Sequence, residues 1–145
     1  MLVGKISSLE SVALEVRNPD IARHFYTEVL GMKLLSADRT GSSQGPMLLQ
    51  PAGGGSCIML CHMTDQQDSL VPGSAGAHPE LRWTGLRLAT DNVDAVFNNL
   101  SARNVRFLQD PQTKPWGVRD CVFCDPDGNV FNLVQQIPSQ AHASL

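Results

Sequence analysis

The chain has 145 residues, one domain's worth, and folding at this length buries roughly 68–70% of the extended chain's surface, so a core needs no disulfide or metal staple. It is 42% hydrophobic and 17% charged, with 11 basic against 14 acidic side chains and a net charge of −3, which argues against a nucleic-acid partner. No apolar run approaches the roughly 20 residues of a bilayer crossing, and MLVGKISSLES lacks an apolar leader stretch, so no membrane association and a cytoplasmic setting are expected.

The first element is a strand, Ser11 to Val16, with alternating apolar positions. A helix follows: Asn18 can cap it, Pro19 suits its first position, and Ile21, Ala22, Phe25, Tyr26, Val29 and Leu30 form one apolar face before Gly31 stops it. Three short strands come next, Lys33 to Ala37, Met47 to Gln50 and Cys57 to His62. Gly41-Ser42-Ser43-Gln44-Gly45 spells GxSxG, but a nucleophile elbow must enter a helix, whereas Pro46 and a strand follow; it is read as a turn. Gly53-Gly54-Gly55 is read as a tight hairpin, since no helix N-terminus and no lysine complete a phosphate cradle. Thr64 to Arg82 is polar and rich in Gly, Pro and Ser, a connection long enough to serve as a linker or a lid. The second half repeats the order: a strand from Gly85 to Thr90, then a helix from Asp91 or Asn92 that carries Val93, Val96, Phe97 and Leu100 and fades near Arg103. Strands from Val105 to Leu108, Asp120 to Cys124 and Val130 to Gln135 complete it, with Asp125-Pro126-Asp127-Gly128 as a type I turn. Asn99-Leu100-Ser101 is a glycosylation sequon in spelling only, because it lies within that helix.

A shift of 74 places Val12 on Leu86, Leu14 on Leu88 and Asn18 on Asn92, and a shift of 73 places Ile58 on Phe131 and Leu60 on Leu133. The chain is therefore read as a duplicated module. Module one spans about 8–63, the connecting loop 64–82, module two about 83–137 and a tail 138–145. Alternation puts Val12, Leu14, Val16, Ile58 and Leu60 against the first helix, and Leu86, Leu88, Phe131 and Leu133 against the second. The opposite faces carry Ser11, Ala13, Glu15, Cys57, Met59 and Cys61, and Gly85, Arg87, Ala89, Val130, Asn132 and Val134. Small side chains of mixed polarity suit the lining of a cavity. Cys121 and Cys124 form a CxxC, but residues three apart on a strand point to opposite faces, so buried, inert thiols are expected in place of a zinc site.

These segments resemble the vicinal oxygen chelate superfamily, which groups glyoxalases, extradiol dioxygenases, fosfomycin-resistance enzymes and bleomycin-resistance proteins. The resemblance rests on SVALEVRNPDIARHFYTEVLGMKLL (Ser11 to Leu35), LATDNVDAVFNNL (Leu88 to Leu100) and KPWGVRDCVFCDPDGNVFNLVQ (Lys114 to Gln135). It implies an α+β fold of two tandem βαβββ modules forming an incomplete barrel around a central cavity. It also implies one divalent metal held from the first and last strand of each module. Carried across, those positions fall on Ser11, Met59, Gly85 and Asn132. A hydroxyl, a thioether, an absent side chain and an amide cannot supply the imidazole and carboxylate field such an ion wants, so no metal and no cofactor are expected. His24, His62, His78 and His142 show no i, i+4 pair and no HxH spacing to replace them.

Trp116, between Pro115 and Gly117, either stacks on a planar ligand, as the resemblance implies for this region, or packs over the barrel edge; Trp83, just before a strand, is read as packing. Arg87 and Glu15 are the charges on the cavity faces and either pair or orient a ligand, since an unpaired buried charge is costly. The expected function is that of a metal-free, homodimeric binding protein of the bleomycin-resistance type. It would sequester an aromatic or amphipathic small molecule with Trp116, Arg87, Glu15, Ser11, Met59, Gly85 and Asn132 around it. The alternatives are a lyase, isomerase or dioxygenase with a displaced metal or with Glu15 as acid–base group, and a diverged module kept for protein contacts.

Overall fold

The computed structural model describes residues 4–36, 46–62 and 81–138. Gly41 to Gly45, His78, His142, most of the 64–82 connection and most of the tail lie outside the described residues. The architecture is α+β: two units, Met1–His78 and Pro79–Leu145, each built on its own open four-stranded sheet.

In the first unit β1 (Ser11–Val16), α1 (Pro19–His24), β2 (Lys33–Ser36), β3 (Met47–Gln50) and β4 (Cys57–His62) follow in order. The sheet order is β1-β4-β3-β2, with β1 parallel to β4 and the other pairs antiparallel. The Asn18 side chain caps α1, accepting from the backbone N–H of Asp20 (3.0 Å) and Ile21 (3.1 Å). The helix does not hold one pitch to Gly31. Phe25–Val29 form a π-helical turn in which the Leu30 N–H reaches the Phe25 carbonyl (2.9 Å). That wider turn seats the adjacent Phe25 and Tyr26 both in the core, edge to face with centroids 5.3 Å apart. Gly31 then ends the helix at φ +73, a conformation that side-chain-bearing residues rarely adopt. Ile21, expected on the apolar face, is instead 52% exposed; Ala22, Phe25 and Tyr26 carry the buried stripe. Leu14, Val16, Met47, Leu49, Ile58 and Leu60 complete this core, as the alternation requires.

In the second unit β5 (Arg82–Ala89), α2 (Val93–Ala102), β6 (Arg106–Lys114), β7 (Val118–Cys124) and β8 (Asn129–Gln136) repeat the order, with sheet order β5-β8-β7-β6. Asn92 caps α2 through Ala95 N–H (3.0 Å). On the helix side Phe97, Phe107, Phe123 and Phe131 form a chain of ring contacts with centroids 4.6 to 5.8 Å apart. The Arg119 guanidinium clasps both carboxylate oxygens of Asp94 at 2.8 Å, tying α2 to the same face. The Asp125 turn forms as expected, Gly128 N–H meeting the Asp125 carbonyl (3.0 Å), and the Asp125 carboxylate accepts from Asp127 and Asn129 N–H.

Several strand boundaries in the second unit differ from expectation, β7 among them, which begins at Val118, two residues before Asp120. Arg82 and Trp83 belong to β5, so the strand begins inside the expected connection, and Trp83 is 61% exposed on it, contrary to a packing role. β6 runs nine residues, well past Leu108, and includes Pro111. A proline with no N–H is tolerated there because β6 is the outermost strand of its sheet.

Candidate functional site

Each sheet presents one face to the helix of its own unit, and the side chains singled out from sequence lie on strands of both sheets. In the first unit the parallel register pairs Ser11 with Cys57, Ala13 with Met59 and Glu15 with Cys61, which puts all six on the face opposite the core residues Leu14 and Leu60. Three of the six are sulfur side chains, and Leu48 pairs with Met59 beside them. Thiol and thioether groups are soft and polarisable, and they pack well against aromatic rings. Glu15 is 5% exposed on this face, and burial together with the facing Glu15 pushes the Cys61 thiol above its ordinary range.

The second unit uses the corresponding face differently. Trp83 pairs with Val130, Arg87 with Asn132 and Ala89 with Val134, so β5 carries two extra residues between Trp83 and Arg87. Because the excess is even, Trp83 and Arg87 remain on one face. Gly85 lies in this bulge at φ +75, and the Thr84 hydroxyl pins the irregularity by donating to the Val130 carbonyl (2.7 Å) and accepting from Leu86 N–H (3.0 Å). The sequence shift had set Gly85 level with Ser11; in the structure Gly85 occupies no regular rung.

Across that face runs a chain of polar contacts involving all four strands. Arg87 Nε donates to Asn132 Oδ1 (3.3 Å), and Asn132 Nδ2 donates to Asp120 Oδ2 (3.3 Å) and to the Cys121 carbonyl (3.2 Å). Gln109 Nε2 donates to Asp120 Oδ1 (2.9 Å), with Lys114 Nζ 3.8 Å from the same oxygen. Asp120 and Asn132 are 8% and 9% exposed, so the chain's centre is buried and its ends, Arg87 and Gln109 with Lys114, are more open. At the β5 end lies an open cleft of about 630 Å³ lined by residues of β5, of β8 and of the segment that follows β5.

Of the residues singled out from sequence, Ser11, Glu15 and Met59 share the first sheet's free face, while Arg87 and Asn132 are bonded to each other on the second. Trp116 stands apart on the tip joining β6 to β7, 69% exposed, in a turn closed by Gly117 N–H on the Lys114 carbonyl (3.2 Å), with Gly117 at φ +86. Asp120, Gln109 and Lys114 escaped the sequence reading. The signal for Asp120 was present: it falls in phase with Val118, Val122 and Cys124, a charge at a position the alternation marks as inward.

The residues at the implied metal positions do not suit a divalent ion. Gly85 has no side chain, Ser11 and Met59 offer a neutral hydroxyl and a thioether, and both ends of the Asn132 amide are engaged. Among the described residues no three or more His, Cys, Asp or Glu side chains are grouped to hold a metal. Cys121 and Cys124 pair with Leu133 and Val130, neighbours on opposite faces, so the CxxC does not converge. No helix among the described residues is long and apolar enough to cross a membrane.

A family model, Glyoxalase/Bleomycin resistance protein/Dioxygenase superfamily, matches residues 8–133. No curated protein matches the chain. Among solved structures, a member of that superfamily from Sphaerobacter thermophilus DSM 20745 is 27% identical, with a TM-score of 0.76, covering 90% of this chain and 98% of that one. TnmS3, an antibiotic binding protein from Streptomyces sp. CB03234, is 34% identical, with a TM-score of 0.71 and coverage of 92% and 99%. A glyoxalase/bleomycin resistance protein from the same Streptomyces is 35% identical, with a TM-score of 0.66 and coverage of 88% and 100%.

Proposed function

This chain belongs to the glyoxalase/bleomycin resistance protein/dioxygenase superfamily, and on that premise we propose that it captures a small aromatic or amphipathic molecule, without a metal ion, and releases it unchanged. The observation that carries this reading is the state of Asn132. At the level where a metal ligand is implied, the amide is spent on Arg87 and Asp120, and its partner position in the first unit is a thioether. Soft sulfur groups on the first sheet suit an aromatic body, and the fixed polar chain on the second suits a polar group. The likeness to an antibiotic binding protein at 34% identity supports an antibiotic as that ligand.

In this reading Trp116 supplies an exposed ring for stacking, Arg87 and Glu15 orient polar groups, Ser11, Met59, Gly85 and Asn132 line the free faces, and the working form is a homodimer. Titration with a panel of aromatic antibiotics, bleomycin among them, tests it through tryptophan fluorescence. The expected result is saturable quenching, reduced in Trp116→Phe, with the antibiotic recovered at unchanged mass and a dimer by sedimentation. Absence of binding across the panel overturns the reading. Turnover of α-ketoaldehyde thiol adducts, catechols or thioesters replaces it with an enzyme, for which the buried Glu15 carboxylate is the acid–base candidate.

A further inference from the structure

We propose that the ligand carries a single anionic oxygen group, a carboxylate, sulfonate or phenolate, and that this group docks on Arg87 in the cleft at the end of β5. The proposal rests on the binding reading above and adds the chemistry of one end of the ligand. Among the described residues Arg87 makes one hydrogen bond, through Nε to Asn132, and has no carboxylate within ion-pair distance. Among the described residues no hydrogen bond takes its two terminal nitrogens, Arg87 lines the cleft, and a guanidinium offers the planar fork that binds an oxyanion with two parallel bonds.

The direction of Asn132 is fixed from behind. Its Nδ2 is held by the Asp120 carboxylate and the Cys121 carbonyl, both acceptors, so the amide oxygen must face Arg87. Reversal would set an amide NH2 against the Arg87 N–H and an oxygen against a carboxylate. Asp120 therefore acts as a positioning residue for Arg87, and its own charge is answered by Lys114 and Gln109 on the far side. Among the described residues Arg87 has no carboxylate to answer its charge in this line of polar contacts.

The rest of the cleft limits the ligand. Leu88, Ala89 and Val134 give it apolar wall, while Thr90 and Gln136 add neutral polar groups. Asp91 places one negative charge on the same cleft, which disfavours a polyphosphate and suits a ligand with one oxyanion and a hydrogen-bond donor elsewhere.

Two fluorescent probes with one aromatic framework test the proposal, anilinonaphthalene sulfonate and its neutral counterpart phenylnaphthylamine. The wild type is expected to bind the sulfonate more tightly, by up to about tenfold, as a bidentate charge-assisted pair on an exposed arginine should. Arg87→Gln is expected to abolish that preference, the sulfonate losing far more affinity than the neutral probe. Asp120→Asn is expected to reduce the ratio severalfold, a readout that general loosening would not move because it would shift both probes. Salt is a second measurement on the wild type alone, weakening the sulfonate and sparing the neutral probe. Equal affinities in the wild type, or a preference that survives Arg87→Gln, overturn the proposal and leave the binding reading standing. If neither probe nor any antibiotic of the panel binds, both fall together.

Discussion

Asp120 accepts from two side-chain amides, Asn132 Nδ2 and Gln109 Nε2, on a buried stretch of the sheet, with Lys114 3.8 Å away. Asp120→Ala is expected to cost about 1–3 kcal/mol in urea unfolding, the range for stranding a buried hydrogen-bond partner, while Asp120→Asn costs less because one acceptor remains. The cysteines separate by environment. Burial, with Asp120, Asp94 and Asp110 nearby, pushes the Cys121 thiol up to about 12, and Cys61 is raised by burial and Glu15. A raised pKa means less thiolate at a given pH, so in mildly alkaline buffer iodoacetamide should reach half-buried Cys57 first and Cys61 more slowly. Cys121 and buried Cys124 should react only after unfolding, an order read by peptide mass spectrometry. The opposed faces of Cys121 and Cys124 were legible from strand alternation alone. The bond from Asn132 to Arg87 was not, since it depends on β5 and β8 pairing across 45 residues and on a bulge that no local pattern announces.

At the scale of elements, caps and turns were the most legible features. Asn18, Gly31, Asn92 and the Asp125 turn act through backbone groups within a few residues, so their sequence signals are complete in themselves. The change of pitch after His24 and the length of β6 were not, because each is decided by distant packing or by edge position. The Asp94–Arg119 clasp ties α2 to its sheet, and hydrogen bonding to Arg119 holds the Asp94 carboxyl below its ordinary range. A depressed carboxyl contributes stability that is present above its unfolded pKa and lost as pH falls through the folded one. Asp94→Asn should therefore be less stable than wild type at neutral pH, with the difference closing in acid below the usual carboxylate range, as followed by thermal unfolding across pH. The pair is exposed, so the difference should also shrink with salt.

For the molecule as a whole, the duplication was legible because both copies keep the same order of strands and helix, and the structure gives both sheets the same strand sequence, β1-β4-β3-β2 and β5-β8-β7-β6. What differs between the copies is the chemistry of the free face, sulfur groups in one and a buried polar chain in the other. Within that polar chain the Asn132 amide is spent at an implied metal position, which is the basis for reading the protein as a captor that uses no ion. Elemental analysis of the purified protein tests it most directly: the account predicts no zinc, nickel, manganese or iron in stoichiometric amount with antibiotic binding intact, and one such ion per chain, with binding lost on chelation, would contradict it.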